Sequence, residues 1–524
     1  MRTKLFIVVL LPLLVVALAG VSQAWQGRMG GAGDPYGLLQ DESDFLIHPA
    51  KIANGEGIRF YGDYRFTYTG VTDWDVEVKR FSPAGVLQAY FPKETSGDEY
   101  RHDALLGAAF PLGPGRMGII FTYAGMRGKY DGNVPEWYPP TPPIYYDTYT
   151  LTSDLDDFAL RLLYGFPVGV FKLGAEVQFA YRQEENKALY NEDVGGGTRW
   201  LWENFYSAGI GDYHNLYLLM MPYDSSYWEA LFKGSLEGKV GPLDLEFTLR
   251  GGFLFAGDNQ YEYELQAPIG IPANRFDLKG DVTGWQIGGD LWLRYPLAKD
   301  LTLPFLVRVD YQKKTRNGEG PAELDLGGDT FEYTSQEKNL GITVGGGLDK
   351  ELSNGAKIAA GIYYSYLQGD NTLCLLDFWN GGGGWWLYDS SDFPVYTENQ
   401  IMLRLAGELA LSPALTLRMG LTPFYGWVSQ DLEYTFDALA PFTDQVSSDC
   451  YHWGIGASVG GTIRIPSIHI TMEPFVNGGY QQLHIQGSGE RVTLTGVLTN
   501  LYDVSTDRDE WNIGGGCSFQ YDLP

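Results

Sequence analysis

The chain has 524 residues, of which 68 are Gly and 15% are aromatic, and it carries a formal net charge of −28. Length alone fits several soluble domains or one large membrane barrel, but Gly at roughly twice its usual share of ~7%, with abundant aromatics, favours a curved antiparallel sheet with interfacial girdles. Beyond the N-terminus no run of about 18 apolar residues exists, which excludes helical membrane spans; the acidic balance argues against nucleic acid as a partner, and 3 Cys are too few for a disulfide-built fold.

Residues 1–24 read as a secretory signal: Arg2 and Lys4 form a basic start, 5–18 an apolar core, and Ser22-Gln23-Ala24 a small-residue cleavage site. That apolar run is too short to serve comfortably as a helical anchor. No Cys follows the cleavage point, which argues against a lipid anchor, and removing Arg2 and Lys4 gives −28 − 2 = −30 for the mature chain.

Residues 25–57 come next and do not alternate. They contain the Gly-rich run 27–33, the acidic pair Asp41 and Glu42, and His48-Pro49-Ala50. A stretch with so little strand pattern does not belong in a barrel wall; a compact, partly helical segment inside the barrel or at its mouth is expected, with a disordered leader as the alternative. The segment resembles the N-terminus of the long-chain fatty-acid transporter family of the outer membrane, in which a Gly-Met-Gly-Gly-Ala-like start precedes an acidic pair and an Asn-Pro-Ala turn just before the first strand. The matching pieces are 28–32, Asp41-Glu42 and His48-Pro49-Ala50, with His48 where the family usually has Asn. In that family the segment is a hatch that plugs the lumen. The resemblance implies the same here, with Gly30, Gly31, Asp41, Glu42, His48 and Pro49 among the plug residues.

Strand pattern begins at 58–69, where Phe60, Tyr64, Phe66 and Tyr68 oppose Arg59, Asp63, Arg65 and Thr67. The stretch up to about His102 is irregular, and 86–91 reads as either a strand or a structured outer loop. From Asp103 onward the chain repeats strand, short turn, strand, long loop. Short turns rich in Gly, Pro, Ser or Asn fall at 111–115, 167–169, 241–242, 296–300, 353–355, 412–414 and 466–467. Long loops are expected near 129–153, 186–226, 259–280, 316–335, 369–396, 432–449 and 486–506. The clearest hairpin is 399–429: Ile401, Leu403, Leu405, Leu409 and Leu411 alternate with Gln400, Arg404 and Glu408, and Leu415, Leu417, Met419 and Leu421 alternate with Thr416, Arg418, Gly420 and Thr422. Strands of about a dozen residues cross a bilayer when tilted, and one short and one long set of connections is the asymmetry of bacterial barrels. The fold expected over 58–524 is an all-β, transmembrane, antiparallel up-and-down β-barrel of about 16 strands, 14 and 18 being the neighbouring even counts, with short periplasmic turns and long extracellular loops.

Parity sends Leu245, Phe247, Leu249, Trp285, Ile287, Leu291, Leu293, Trp453, Ile455, Val459, Ile463, Trp511, Ile513 and Phe519 to lipid. The lumen receives Arg59, Asp63, Arg65, Asp157, Arg161, Lys172, Glu176, Arg182, Glu229, Lys233, Glu237, Glu246, Arg250, Asp290, Arg294, Arg308, Asp310, Glu398, Arg404, Glu408, Arg418, Arg464 and Glu473. This set holds twelve bases and eleven acids, so the excess negative charge belongs to the loops and the N-terminal segment. Opposed rows would give a transverse field in an aqueous pore; pairing that holds the wall and anchors a plug is the simpler reading.

Gly456-Ala457-Ser458-Val459-Gly460 matches the Gly-x-Ser-x-Gly pattern of serine hydrolases, but that motif needs a strand-to-helix elbow and Ser458 sits in unbroken alternation. The six His form no i, i+4 pair, the Cys form no haem-attachment motif, and no metal, cofactor or catalytic site is expected. Cys517 falls on the lipid-facing parity; Cys374 and Cys450 fall at or near outer loops, as free thiols or as a loop staple. Asp154, Asp156 and Asp157, or Asp325 and Asp329, could bind Ca²⁺ but lack ordered spacing. The aromatic runs 138–146 and 381–386 could fold inward as a lid or pack on each other. The reading that follows is not an enzyme but an outer-membrane channel for passive diffusion of small solutes. The alternatives are a plugged transporter of hydrophobic molecules and a sheath around a partner protein such as an electron-transfer cytochrome. The expected partners are outer-membrane lipid and a small-molecule solute, with a homo-oligomer or a periplasmic or extracellular protein as further options.

Overall fold

The computed structural model describes residues 45–136, 145–191, 223–264, 275–324, 327–353, 355–375, 390–436, 442–493 and 496–523. A short 3-10 helix, Pro49–Asn54, precedes sixteen strands: β1 (Ile58–Phe81), β2 (Leu87–Leu112), β3 (Gly115–Glu136), β4 (Tyr145–Val168), β5 (Phe171–Asn191), β6 (Tyr223–Val240), β7 (Leu243–Glu264), β8 (Arg275–Ala298), β9 (Leu301–Leu324), β10 (Gly327–Glu351), β11 (Lys357–Leu375), β12 (Ser390–Ser412), β13 (Leu415–Phe436), β14 (Phe442–Ile465), β15 (Ile470–Thr493) and β16 (Leu498–Leu523). Each pairs antiparallel with its sequence neighbours, and β1 closes on β16 with Ile58 opposite Leu523 and Trp511 opposite Gly70. Closure leaves no strand edge, the condition for crossing hydrocarbon with a sheet.

All seven expected short turns lie at the end of the barrel where β1 begins. Gly169 and Gly241 take φ values of 62° there, a left-handed conformation that costs glycine little and links the strands in two residues. The expected alternation holds: Leu249, Ile287, Met419 and Ile513 are exposed on the outside while Thr248 and Asp290 are buried within. Tyr64 departs from it. Its face is outward, but the ring lies against the wall beside His102, with its hydroxyl 3.1 Å from His102 Nδ1, and is buried.

A ring of aromatic pairs marks the outer limit of the apolar band. Tyr68 packs on Tyr100 and Trp511 at 5.0 and 5.1 Å, Tyr123 on Phe158 at 4.9 Å, Tyr181 on Trp228 at 5.2 Å, Trp285 on Tyr311 at 5.0 Å and Trp453 on Tyr480 at 5.6 Å. An apolar exterior bounded by such a ring on a closed antiparallel barrel is the architecture of an outer-membrane protein. Among the described residues no helix is long and apolar enough to cross a membrane.

The strands do not stop at this ring, which corrects the expected loop boundaries. Residues 129–136, 145–153, 316–324, 327–335 and 486–493, assigned to loops by their lost alternation, continue β3, β4, β9, β10 and β15. Above the lipid both faces meet polar surroundings, so the hydrophobic period fades while backbone pairing persists. Likewise 87–91 is strand: β1 and β2 meet in a tight turn closed by Ser82 and Val86, and β2 begins at Leu87. The aromatic run at 381–386, Asp325, and 138–144 fall outside the described residues.

One wall residue is strained. Ala256 has φ 49° at a break in register between β7 and β8, where Leu254 and Gly257 are successive partners of β8. A left-handed alanine costs about 1 kcal/mol relative to glycine. Ala256→Gly is therefore expected to raise the barrel's resistance to denaturant by roughly that amount, read as a shift in unfolding midpoint at constant slope.

Candidate functional site

The lumen is not empty at its periplasmic end. Residues 45–54 enter it and sit against β3 to β7, with Phe45, His48, Ala50, Lys51 and Ile52 all buried. The wall is shaped to receive them. A Cβ at Gly174 would lie 2.0 Å from Ala50 N and 2.3 Å from Pro49 C, and one at Gly165 or Gly118 would meet Ile52 at 2.7 or 2.6 Å. Beside this flat floor, Phe45 and Ile52 join Tyr61, Leu105, Ala109, Ile120 and Leu163 in a dry cluster. Burial of apolar side chains and close backbone approach together fix the segment's position.

Polar contacts complete the seat. Ala50 N donates to Ser235 Oγ at 2.7 Å, and Leu46 O accepts from Arg161 Nη2 at 2.6 Å and Lys233 Nζ at 3.4 Å. His48 places Nδ1 2.6 Å from Thr248 Oγ1 and Nε2 3.5 Å from Glu246. Glu246 also accepts from Lys51 Nζ at 2.9 Å and from Arg294. A partly buried backbone carbonyl and a buried amide thus find partners on β4 and β6, while the segment's buried lysine meets a carboxylate on β7.

Above the seat, the interior of β4 to β9 is filled by charge pairs. Arg161 and Lys233 converge on Glu176 at 2.8 and 3.3 Å. Arg250 joins Asp290 and Asp310 at 2.6 and 2.5 Å, and Arg308 reaches Asp290 at 2.5 Å. Gln286 donates to Glu229, and Arg182 holds Asp157 at 2.6 Å. Two further dry clusters lie in the lumen: Tyr227, Leu254 and Val282, and Trp292, Leu306, Ala359, Tyr363 and Ala406 with Met402 against them.

The remaining sequence-derived residues also face inward. Arg59 pairs with Asp522 at 2.9 Å, Lys172 with Glu237 at 3.5 Å, and Arg418 with Glu473 and Glu408 at 3.0 and 3.7 Å. Asp63 accepts from Ser518 Oγ at 2.7 Å, and Glu398 lies 3.5 Å from His452. Arg404 is buried beside Met402, Arg65 is half-buried, and Arg464 is exposed at the turn end of β14. Acids and bases are mixed along the same strands, so they pair locally instead of forming two opposed rows. Gly30, Gly31, Asp41 and Glu42 lie outside the described residues, whereas His48 and Pro49 are in the seated segment.

Ser458 is mid-strand in β14, with no helix after it. Asp154 and Asp156 lie outside the wall beside Arg127, while Asp157 is inside it, so the three do not converge. Among the described residues no group of three potential metal ligands is present. Cys450 is a buried free thiol on the lumen face of β14, and the side chain of Cys374 lies outside the described residues.

Sequence reasoning missed Lys51, Glu184, Tyr227, Lys314, Arg316 and Glu337. Lys314 and Arg316 continue the parity of Arg308 and Asp310, a signal available once β9 runs beyond Tyr311. No family model matches the chain, and no curated protein does. Among solved structures, a Pseudomonas aeruginosa FadL homologue aligns at TM-score 0.36 and 10% identity over 95% of this chain and 98% of that one. The CymD monoaromatic hydrocarbon channel aligns at 0.35 and 12% over 97% and 98%, and the Pseudomonas putida toluene transporter TodX at 0.32 and 11% over 96% and 98%.

Proposed function

We propose that this chain is a plugged outer-membrane transporter for small hydrophobic molecules. The observation that carries the reading is the insertion of residues 45–54 into the periplasmic end of the lumen, held by Ser235, Glu246, Thr248 and Arg161. An open diffusion pore has no use for a segment that buries an aromatic, an isoleucine and a lysine inside its own channel. Inside the wall, Trp292, Leu306 and Tyr363 form a buried apolar cluster, which fits an interior packed against a seated segment better than one lined for water throughout.

The test is conductance in planar bilayers. The full mature chain is expected to show no sustained large steps, and deletion of 25–54 to produce them while the barrel stays heat-modifiable on gels. Stable large steps from the full chain would return the reading to an open pore. Uptake of a labelled apolar solute by cells carrying the full chain, above cells lacking it, is the matching functional result.

A further inference from the structure

The outer half of the lumen contains a contact that a round barrel could not make. Glu184 on β5 accepts from Lys314 Nζ at 3.1 Å and Arg316 Nη2 at 3.0 Å, both on β9. Four strand spacings of ~4.8 Å separate β5 from β9 by about 19 Å of wall. A glutamate and a lysine meeting head to head span only about 14 Å between Cα atoms, nine zigzag bonds of ~1.5 Å plus the 3.1 Å contact. The wall between them must therefore double back, and β7 and β9, which share no backbone hydrogen bonds, are in contact.

Tyr227 on β6 lies under this bridge. Its hydroxyl donates to Glu184 at 2.8 Å and accepts from Lys314 at 3.2 Å, and Lys314 Nζ sits 4.6 Å from its ring centroid. Arg316 continues the chain to Glu337 on β10. Beneath the bridge Leu254 and Val282 are buried, and Asp290 below them is 1% exposed. Across the lumen, inward-facing Thr422, Ser458, Asn477 and Asn512 on β13 to β16 keep partial exposure. The interior under the bridge is packed at Tyr227, Leu254 and Val282, while these four positions on β13 to β16 stay partly accessible.

We infer that the lumen is divided: the Glu184, Lys314 and Arg316 bridge straps β5 to β9 over a packed lobe at Tyr227, Leu254 and Val282, and a solute entering from outside is confined to the side lined by β13 to β16. This rests on the transporter reading only for the word solute; the division itself is a property of the barrel and is tested without transport.

The experiment uses the full chain with Cys374, Cys450 and Cys517 replaced by Ala, a single reporter cysteine, and a small cationic methanethiosulfonate added from outside. Ser458→Cys is expected to label about tenfold faster than Leu254→Cys, because the latter requires local opening of the lobe. Adding Glu184→Ala is expected to speed labelling of Leu254→Cys by about tenfold and to leave that of Ser458→Cys unchanged. Equal labelling of the two reporters with the bridge intact overturns the proposal, as does a Leu254→Cys rate that Glu184→Ala does not move. Should Glu184→Ala not fold, Lys314→Met with Arg316→Gln removes the same bridge from the other side and is held to the same outcomes. A transporter that conducts after deletion of 25–54 yet fails the labelling test refutes the division alone.

Discussion

Gly174→Val is expected to open the barrel without weakening it. The position lies on β5 between Gly165 of β4 and Ser235 of β6, facing the lumen. A Cβ there would stand 2.0 Å from Ala50 N, 2.3 Å from Pro49 C and 2.5 Å from Ala50 Cα. All three are backbone atoms, so no rotamer change relieves the overlap, and a core without room relaxes by expelling the intruding segment. The wall itself tolerates the change, since valine suits a pleated strand better than glycine does. The expected result is large, sustained conductance like that of the 25–54 deletion, with the barrel's heat-modification temperature unchanged. Gly234→Val, at a position on β6 with nothing within 4 Å, is the matched control and is expected to stay silent. A folded, silent Gly174→Val barrel would show that the seated segment is not what closes the lumen.

This contrast also shows how far the sequence could be read. Alternation in 399–429 places Arg404 and Arg418 inside and Leu403 and Met419 outside, and the structure agrees residue by residue, because lipid on one face and a polar lumen on the other impose a strict period of two. The same logic failed above the aromatic ring, where polar surroundings on both faces erase the period and β9 and β10 looked like a loop over 316–335. Arg316 was lost with that extension, and Glu184 and Lys314, just short of the loops expected at 186–226 and 316–335, were left out of the lumen set, so the bridge was missed. The seat was legible only on one side. The non-alternating stretch with His48-Pro49-Ala50 marked an inserted segment, but nothing local marks Gly118, Gly165 and Gly174 as its floor. They sit on three successive strands, each glycine ordinary for a curved sheet, and their role emerges only when the register aligns them under Ile52 and Ala50. Lys51 was passed over for a related reason: its partner Glu246 is 195 positions away and belongs to the wall.

Glu246→Ala is expected to damage both the seat and the wall, where Lys51→Met damages only the seat. Glu246 is 2% exposed and faces Lys51 on the inserted segment, Arg294 on β8 and, at 3.5 Å, His48. Its loss leaves two buried cations facing each other across the space the carboxylate held, and removing one partner of a buried pair costs about 3–5 kcal/mol. Part of that strain is relieved by the segment withdrawing Lys51 toward solvent, which opens the lumen, but Arg294 belongs to the wall and cannot leave. Conductance is therefore expected together with a lower heat-modification temperature. Lys51→Met removes the segment's cation and keeps the pairing of Glu246 with Arg294, so it should give intermittent openings in a barrel of unchanged heat stability. Glu246→Gln retains the shape and its hydrogen-bonding oxygen while losing the charge, and belongs between the two. If Glu246→Ala lowered heat stability but left the barrel silent, the Glu246 cluster would be a fixture of the wall, and the segment would be held by its floor of glycines and its apolar contacts instead.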